Sequence, residues 1–115
     1  MLDNALDAPQ IQTMRAGETD GVRVDYTDYL RSGETISSIT SVTITGESTA
    51  VTSASAAVTT AAVTILGNSV TTANALTFIL TATSTATVGS YEATIIAVSS
   101  ASRTSKRKIG FNVVS

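Results

Sequence analysis

The sequence has no cysteine, no histidine and no tryptophan. Without cysteine there is no disulfide to staple a small fold and no thiolate to attack a substrate or hold a metal. Without histidine, the usual general base near neutral pH and the commonest metal ligand are both missing. Every Ser and Thr therefore lacks the imidazole partner that would make it a nucleophile. No glycine-rich phosphate loop of the required spacing occurs. These absences exclude most catalytic chemistry, so the chain is expected to be no enzyme and to need no cofactor. Proline occurs once, at Pro9, and aromatic residues make up only 4% of the chain. A thin core built from β-branched side chains is the expected consequence.

Other absences bound the partners. No apolar run approaches the ~20 residues of a membrane span. The start, Met1 to Asp7, is acidic and lacks a basic region followed by an apolar one, so no signal peptide is expected. The formal net charge of -2 is too small to draw nucleic acid or an anionic membrane. At 115 residues the chain is long enough for one domain and short for two cores.

What is present is unevenly spread. Charges are dense from Asp3 to Glu47, and from Ser48 to Ser102 the only charged residue is Glu92. Arg103, Lys106, Arg107 and Lys108 then arrive together. The uncharged stretch is Thr, Ser, Ala and Val. Free monomers usually intersperse charge over their surface and along sheet edges. A neutral hydroxyl surface suits contact with neighbouring subunits, because no ion has to be desolvated.

Thr and Val enrichment with period-two alternation predicts strands throughout and no helix of useful length. Val22 to Tyr26 reads as a strand, followed by a tight turn at Thr27 to Leu30 that tucks Tyr29 or Leu30 under the fold. Thr35 to Thr45 is a long strand with a bulge near Ser38–Ser41, since Ile39 breaks the parity of Ile36, Val42 and Ile44. Weak strands are expected at Ala50–Ser53 and Ala57–Thr60, and a firmer one at Ala62–Leu66 ending in a Gly67-Asn68 turn. Ala75–Thr83 turns Leu76, Phe78 and Leu80 inward. Ser90–Val98 and Lys106–Val114 complete the set, the last with Ile109, Phe111 and Val113 facing the core. Short strands with turns and no helices predict an all-β, antiparallel, immunoglobulin-like β-sandwich of about seven to eight strands. Gly89 and Tyr91 stand where such domains keep a tyrosine corner, a hydroxyl bonded back to the preceding turn. Tyr26, Tyr29, Phe78, Tyr91 and Phe111 are the expected structural aromatics.

Residues 1–20 read differently from the sandwich expected over 21–115. They hold Pro9 and scattered apolar side chains (Leu2, Leu6, Ile11, Met14), too few to bury much alone. An extended arm anchored on a partner is the expectation, with Arg15 at its end. The basic run Arg103, Lys106, Arg107 and Lys108 is expected at the tip of the last hairpin, docking on an acidic patch of another subunit. The acids Glu18, Asp20, Asp25 and Asp28 cluster in sequence but lack the loop spacing of a Ca²⁺ site, so pairing with Arg23 and Arg31 is expected instead of metal.

The run Val24-Asp25-Tyr26-Thr27-Asp28-Tyr29-Leu30-Arg31-Ser32-Gly33-Glu34-Thr35-Ile36-Ser37-Ser38 resembles the opening of small immunoglobulin-like structural proteins of tailed phages. In those an acidic and aromatic segment precedes a Ser/Thr-rich sandwich, and Gly89, Tyr91, Arg103–Lys108 and Ile109–Val114 sit similarly to the family's last strands. The likeness covers roughly residues 22–115. It departs in having Tyr29 where the family often has Trp, and in an extra segment around residues 69–87. The resemblance implies a virion component: a capsid decoration (cement) protein that binds the major capsid protein or other virion subunits. It would be made in the host cytoplasm and located on the capsid surface, alone or as a homo-oligomer (dimer or trimer). A tail, neck or fibre module is the alternative, and a weak host-surface or glycan-binding module is another.

Overall fold

The structure, a computed structural model, describes residues 2–5 and 12–115. The described residues form ten strands and no helix: β1 (Leu2–Ala5), β2 (Gln12–Arg15), β3 (Thr19–Asp25), β4 (Ile36–Gly46), β5 (Val51–Val58), β6 (Val63–Ile65), β7 (Asn68–Val70), β8 (Ala75–Ala82), β9 (Gly89–Ser99) and β10 (Thr104–Val114). Eight of them build two four-stranded sheets, β1-β3-β8-β5 and β2-β10-β9-β4, and β6-β7 is a separate hairpin. The two sheets pack face to face as a β-sandwich. Alternation dictates the packing: Val22 and Val24 of β3 and Leu76, Phe78 and Leu80 of β8 are buried against Tyr91, Ala93, Ile95, Ile109, Phe111 and Val113 of the other sheet.

Aromatics are few, but they are used in the interior. Tyr26, Phe78, Tyr91 and Phe111 are all buried. Tyr91 and Phe111 lie opposite each other in the β9–β10 ladder and stack with centroids 5.7 Å apart. The core is therefore pinned by ring packing at a few points, with β-branched and alanine side chains between them.

Most expected strands are present, with shifted ends. The two weak strands expected around Ala50–Thr60 are one strand, β5, interrupted by a register shift between Ala54 and Ala57 where Ser55 takes φ 57°. The shift turns the strand without ending it, so a break in the pattern looks like a gap. β4 carries irregularities between Ile36 and Ser38 and between Ile39 and Ser41, where the change of parity required a bulge. The hairpin β6-β7 turns one residue earlier than expected, through Leu66 (φ 51°) and Gly67 (φ 81°), with Ile65 opposite Asn68. Two successive positive φ values make the mirror-image turn that suits hairpin twist; glycine takes it freely and Leu66 is held in it.

The first 20 residues differ most from expectation. The described parts of that segment are strands of the sandwich: β1 pairs in parallel with β3, Leu2 opposite Val22, and β2 pairs in parallel with β10, Gln12 opposite Phe111. A sheet edge offers unpaired N–H and C=O groups that any extended segment can satisfy, so a stretch poor in apolar residues is still held. Leu2 and Met14 are buried in the core. Leu6, Pro9 and Ile11 lie outside the described residues.

Candidate interaction surfaces

The sandwich has two flanks. On one, the edges of β1 and β2 lie together, joined by a hydrogen bond from Gln12 Nε2 to the Asp3 carbonyl at 2.8 Å. On the other, β4 and β5 are the edge strands and pack side by side.

The first flank is charged. Asp3 and Arg23 stand opposite each other in the β1–β3 ladder, and the guanidinium donates both Nε and Nη2 to the carboxylate at 2.9 and 2.7 Å. The fork fixes the register of β1. Arg23 is thus committed to Asp3, and Asp25 instead accepts the Thr27 amide at 2.9 Å, closing the turn after β3. Arg15 Nη1 donates to the Ser115 carbonyl at 2.8 Å, tying β2 to the end of the chain.

The basic run does not form one patch. The turn between β9 and β10 lies at Ser100–Arg103, so Lys106, Arg107 and Lys108 fall inside β10 and not at a hairpin tip. Arg103 is turned toward the protein: Nε donates to Glu34 Oε2 at 2.9 Å, Nη2 to Glu34 Oε1 and to the Tyr29 carbonyl, and the guanidinium lies 4.4 Å from the Tyr29 ring centroid. Sequence alone gave no sign of this pairing, because Glu34 and Arg103 are 69 residues apart. Glu34 also accepts the Ser99 hydroxyl at 2.6 Å and the Arg31 amide at 2.9 Å. Arg103, then the Arg31 amide and the Ser99 hydroxyl, hold the Glu34 carboxyl well below the usual carboxylate range, and Glu34 in turn raises Arg103. Arg107 stays exposed, 5.3 Å from the Tyr29 centroid, while Lys108 pairs loosely with Glu92 at 3.6 Å. Lys106 is exposed.

The structural tyrosines differ in role. Tyr91 donates its hydroxyl to the Thr87 carbonyl at 2.6 Å and lies 2.8 Å from Ser48 Oγ, the expected link to the preceding turn. Gly46 makes room for its ring: a Cβ there would lie 2.4 Å from Tyr91 Cδ2. Tyr26 packs edge-on to Tyr29, and its buried hydroxyl has no hydrogen-bond partner. Burial pushes that phenol up to about 12. The nearby Ser105 hydroxyl donates instead to the Ala97 carbonyl.

The second flank carries no charge. Neither β4 nor β5 contains a charged residue, and between them runs an open groove of about 340 Å³ lined by Val42, Ile44, Val51, Thr43, Thr52 and Ser53 among others. The adjoining outer face of the first sheet is similar: Thr19, Thr81 and Thr52 share one row, and Gly21, Ile79 and Ala54 the next, with Ile79 40% exposed. A second open groove, of about 360 Å³, lies at the end of the sandwich between Arg31–Thr35 and Thr71–Asn74. Among the described residues no three carboxylates gather to hold a metal ion.

The sequence matches no protein-family model, and no curated protein is significantly similar to it.

Proposed function

We propose that this chain is a non-catalytic, immunoglobulin-like structural subunit that works packed among other proteins, as a capsid decoration protein on a virion. The observation that carries the reading is the uncharged flank formed by β4 and β5, continuous with the neutral rows Thr19–Thr81–Thr52 and Gly21–Ile79–Ala54 on the outer face of the first sheet. Such a surface is costly to leave as an open sheet edge in a free monomer and is well suited to burial against a neighbour. The immunoglobulin-like part of the reading is supported by strand order. Reading β3, β8 and β5 as strands B, E and D, and β10, β9 and β4 as G, F and C, gives the B-E-D and G-F-C strand orders of that architecture, with β1 added in parallel beside β3. The Tyr91–Thr87 hydrogen bond at the start of β9 is its tyrosine corner. The virion setting rests on the resemblance of Val24–Ser38 to phage structural proteins.

The partner is then the major capsid protein or another virion subunit. Quantitative gel analysis of particles purified from a culture carrying the gene tests the proposal. A decoration protein approaches the copy number of the major shell protein. A few copies per particle would assign the domain to a tail, neck or fibre, and absence from particles would overturn the virion reading in favour of a surface-binding module.

A further inference from the structure

The β6-β7 hairpin belongs to neither large sheet and sits on the outer face of the first one. Ala75 shows where. Its neighbour Leu76 points into the core, so Ala75 points outward, yet it is fully buried. Ile65 and Val70 cover it, with Val63 packed against them. The hairpin thus uses its inward side chains to hold itself to β8. It shares its face with the neutral rows Thr19–Thr81–Thr52 and Gly21–Ile79–Ala54, and from Ala62 to Thr72 it carries no charge.

The turn of this hairpin has an unsuitable residue in it. Both central positions have positive φ, Leu66 at 51° and Gly67 at 81°. Asn, Asp or Gly normally fill the first of them, because a Cβ there crowds the backbone. Burial of the leucine in its own fold would offset that strain. Leu66 is instead 39% exposed, while Ile65 beside it is 1% exposed. Ile79 and Val88 are at least as exposed, but neither has a positive φ, so exposure costs the backbone nothing there. Thr64, Asn68 and Ser69 around the tip are exposed and neutral. The hairpin therefore holds a large apolar side chain in water, in a conformation that lowers the stability of the free chain.

We propose that Leu66 is an anchor of the contact surface, its side chain inserting into an apolar pocket of the shell subunit. The rim of that pocket is neutral and hydrogen-bonding, opposite Thr64, Asn68 and Ser69, because the hairpin offers no counter-ion to a desolvated charge. The identity of the partner rests on the decoration reading, whereas the choice of residue rests on the hairpin's own geometry.

Leu66→Asn and Leu66→Met separate an anchor from a residue of the fold. Asn before Gly67 is the favoured pair for this turn, so Leu66→Asn should melt at or above the wild-type temperature. The purified chains are then titrated onto particles from a culture in which the gene has been deleted. Leu66→Asn should bind at least about tenfold more weakly than the wild type. Leu66→Met keeps an apolar side chain and should stay within about threefold of it. Equal binding by the wild type and Leu66→Asn would overturn the anchor and leave the decoration reading standing, as would a Leu66→Met variant that binds no better than Leu66→Asn. A clear drop in the melting temperature of Leu66→Asn would also overturn it, by making Leu66 part of the hairpin's own core. A wild type that does not bind the particles sinks the decoration reading and the anchor with it.

Discussion

The flank of β1 and β2 and the flank of β4 and β5 are built from the same kind of backbone, yet they treat solvent differently. On the first, each short edge strand is fixed by side chains that carry charge: Asp3 to Arg23, and Arg15 to the Ser115 carbonyl. On the second, eleven residues of β4 and eight of β5 run without a charge, and the Ser53 hydroxyl of β5 makes a neutral hydrogen bond to the Val42 carbonyl of β4. Charged edges keep other strands away, and neutral ones admit them. On the reading proposed above, the contrast separates the part of the molecule that faces water from the part that a neighbour covers.

The comparison can be broken in steps. The largest effect is expected from Phe111→Ala, which empties the ring stack beneath β2 and should cost about 3–5 kcal/mol in urea unfolding. Glu34→Gln comes next, because it leaves Arg103 without its bidentate partner. A carboxyl held low in the folded state stabilises fully above its unfolded pKa, about 4.3, and the stabilisation is lost as pH falls toward the folded value. The wild type should therefore lose stability on acidification below about pH 5, and the Gln variant should start lower and show a flatter acid limb in thermal melts. Asp3→Asn is expected to have the smallest effect, at most about 1 kcal/mol, since the pair is partly exposed. Its signature is local: faster amide exchange in β1, with β4 and β9 unchanged.

Much of the fold was legible because alternation is a short-range signal. Leu76, Phe78 and Leu80, or Ile109, Phe111 and Val113, declare their inward face within a few residues, and the turn residues mark where strands end. The β4 bulge was readable for the same reason, as a change in parity. What the sequence hid were pairings across the fold. Nothing near Glu34 announces Arg103, and nothing near Asp3 announces Arg23; both pairs form only when the sheets assemble. That is why the basic run looked like one exposed tip, whereas Arg103 is a structural clamp and the three remaining cations lie along a strand. The first residues misled for a related reason: their composition shows how little they bury, but not that two sheet edges stand ready to bind their backbone. The uncharged flank was visible as a charge gap from Ser48 to Ser102, although only the topology joins it to β4, which lies before that gap.

The central claim is that the neutral flank is a contact surface and the charged flank is not. Amide hydrogen exchange of the full chain, compared between the free protein and the protein bound to purified particles, addresses it most directly. The account predicts protection that rises on binding along β4 and β5, while Thr104–Gly110 on β10 exchanges at an unchanged rate. Unchanged exchange along β4 and β5 in the bound protein, or new protection confined to Thr104–Gly110, would contradict it.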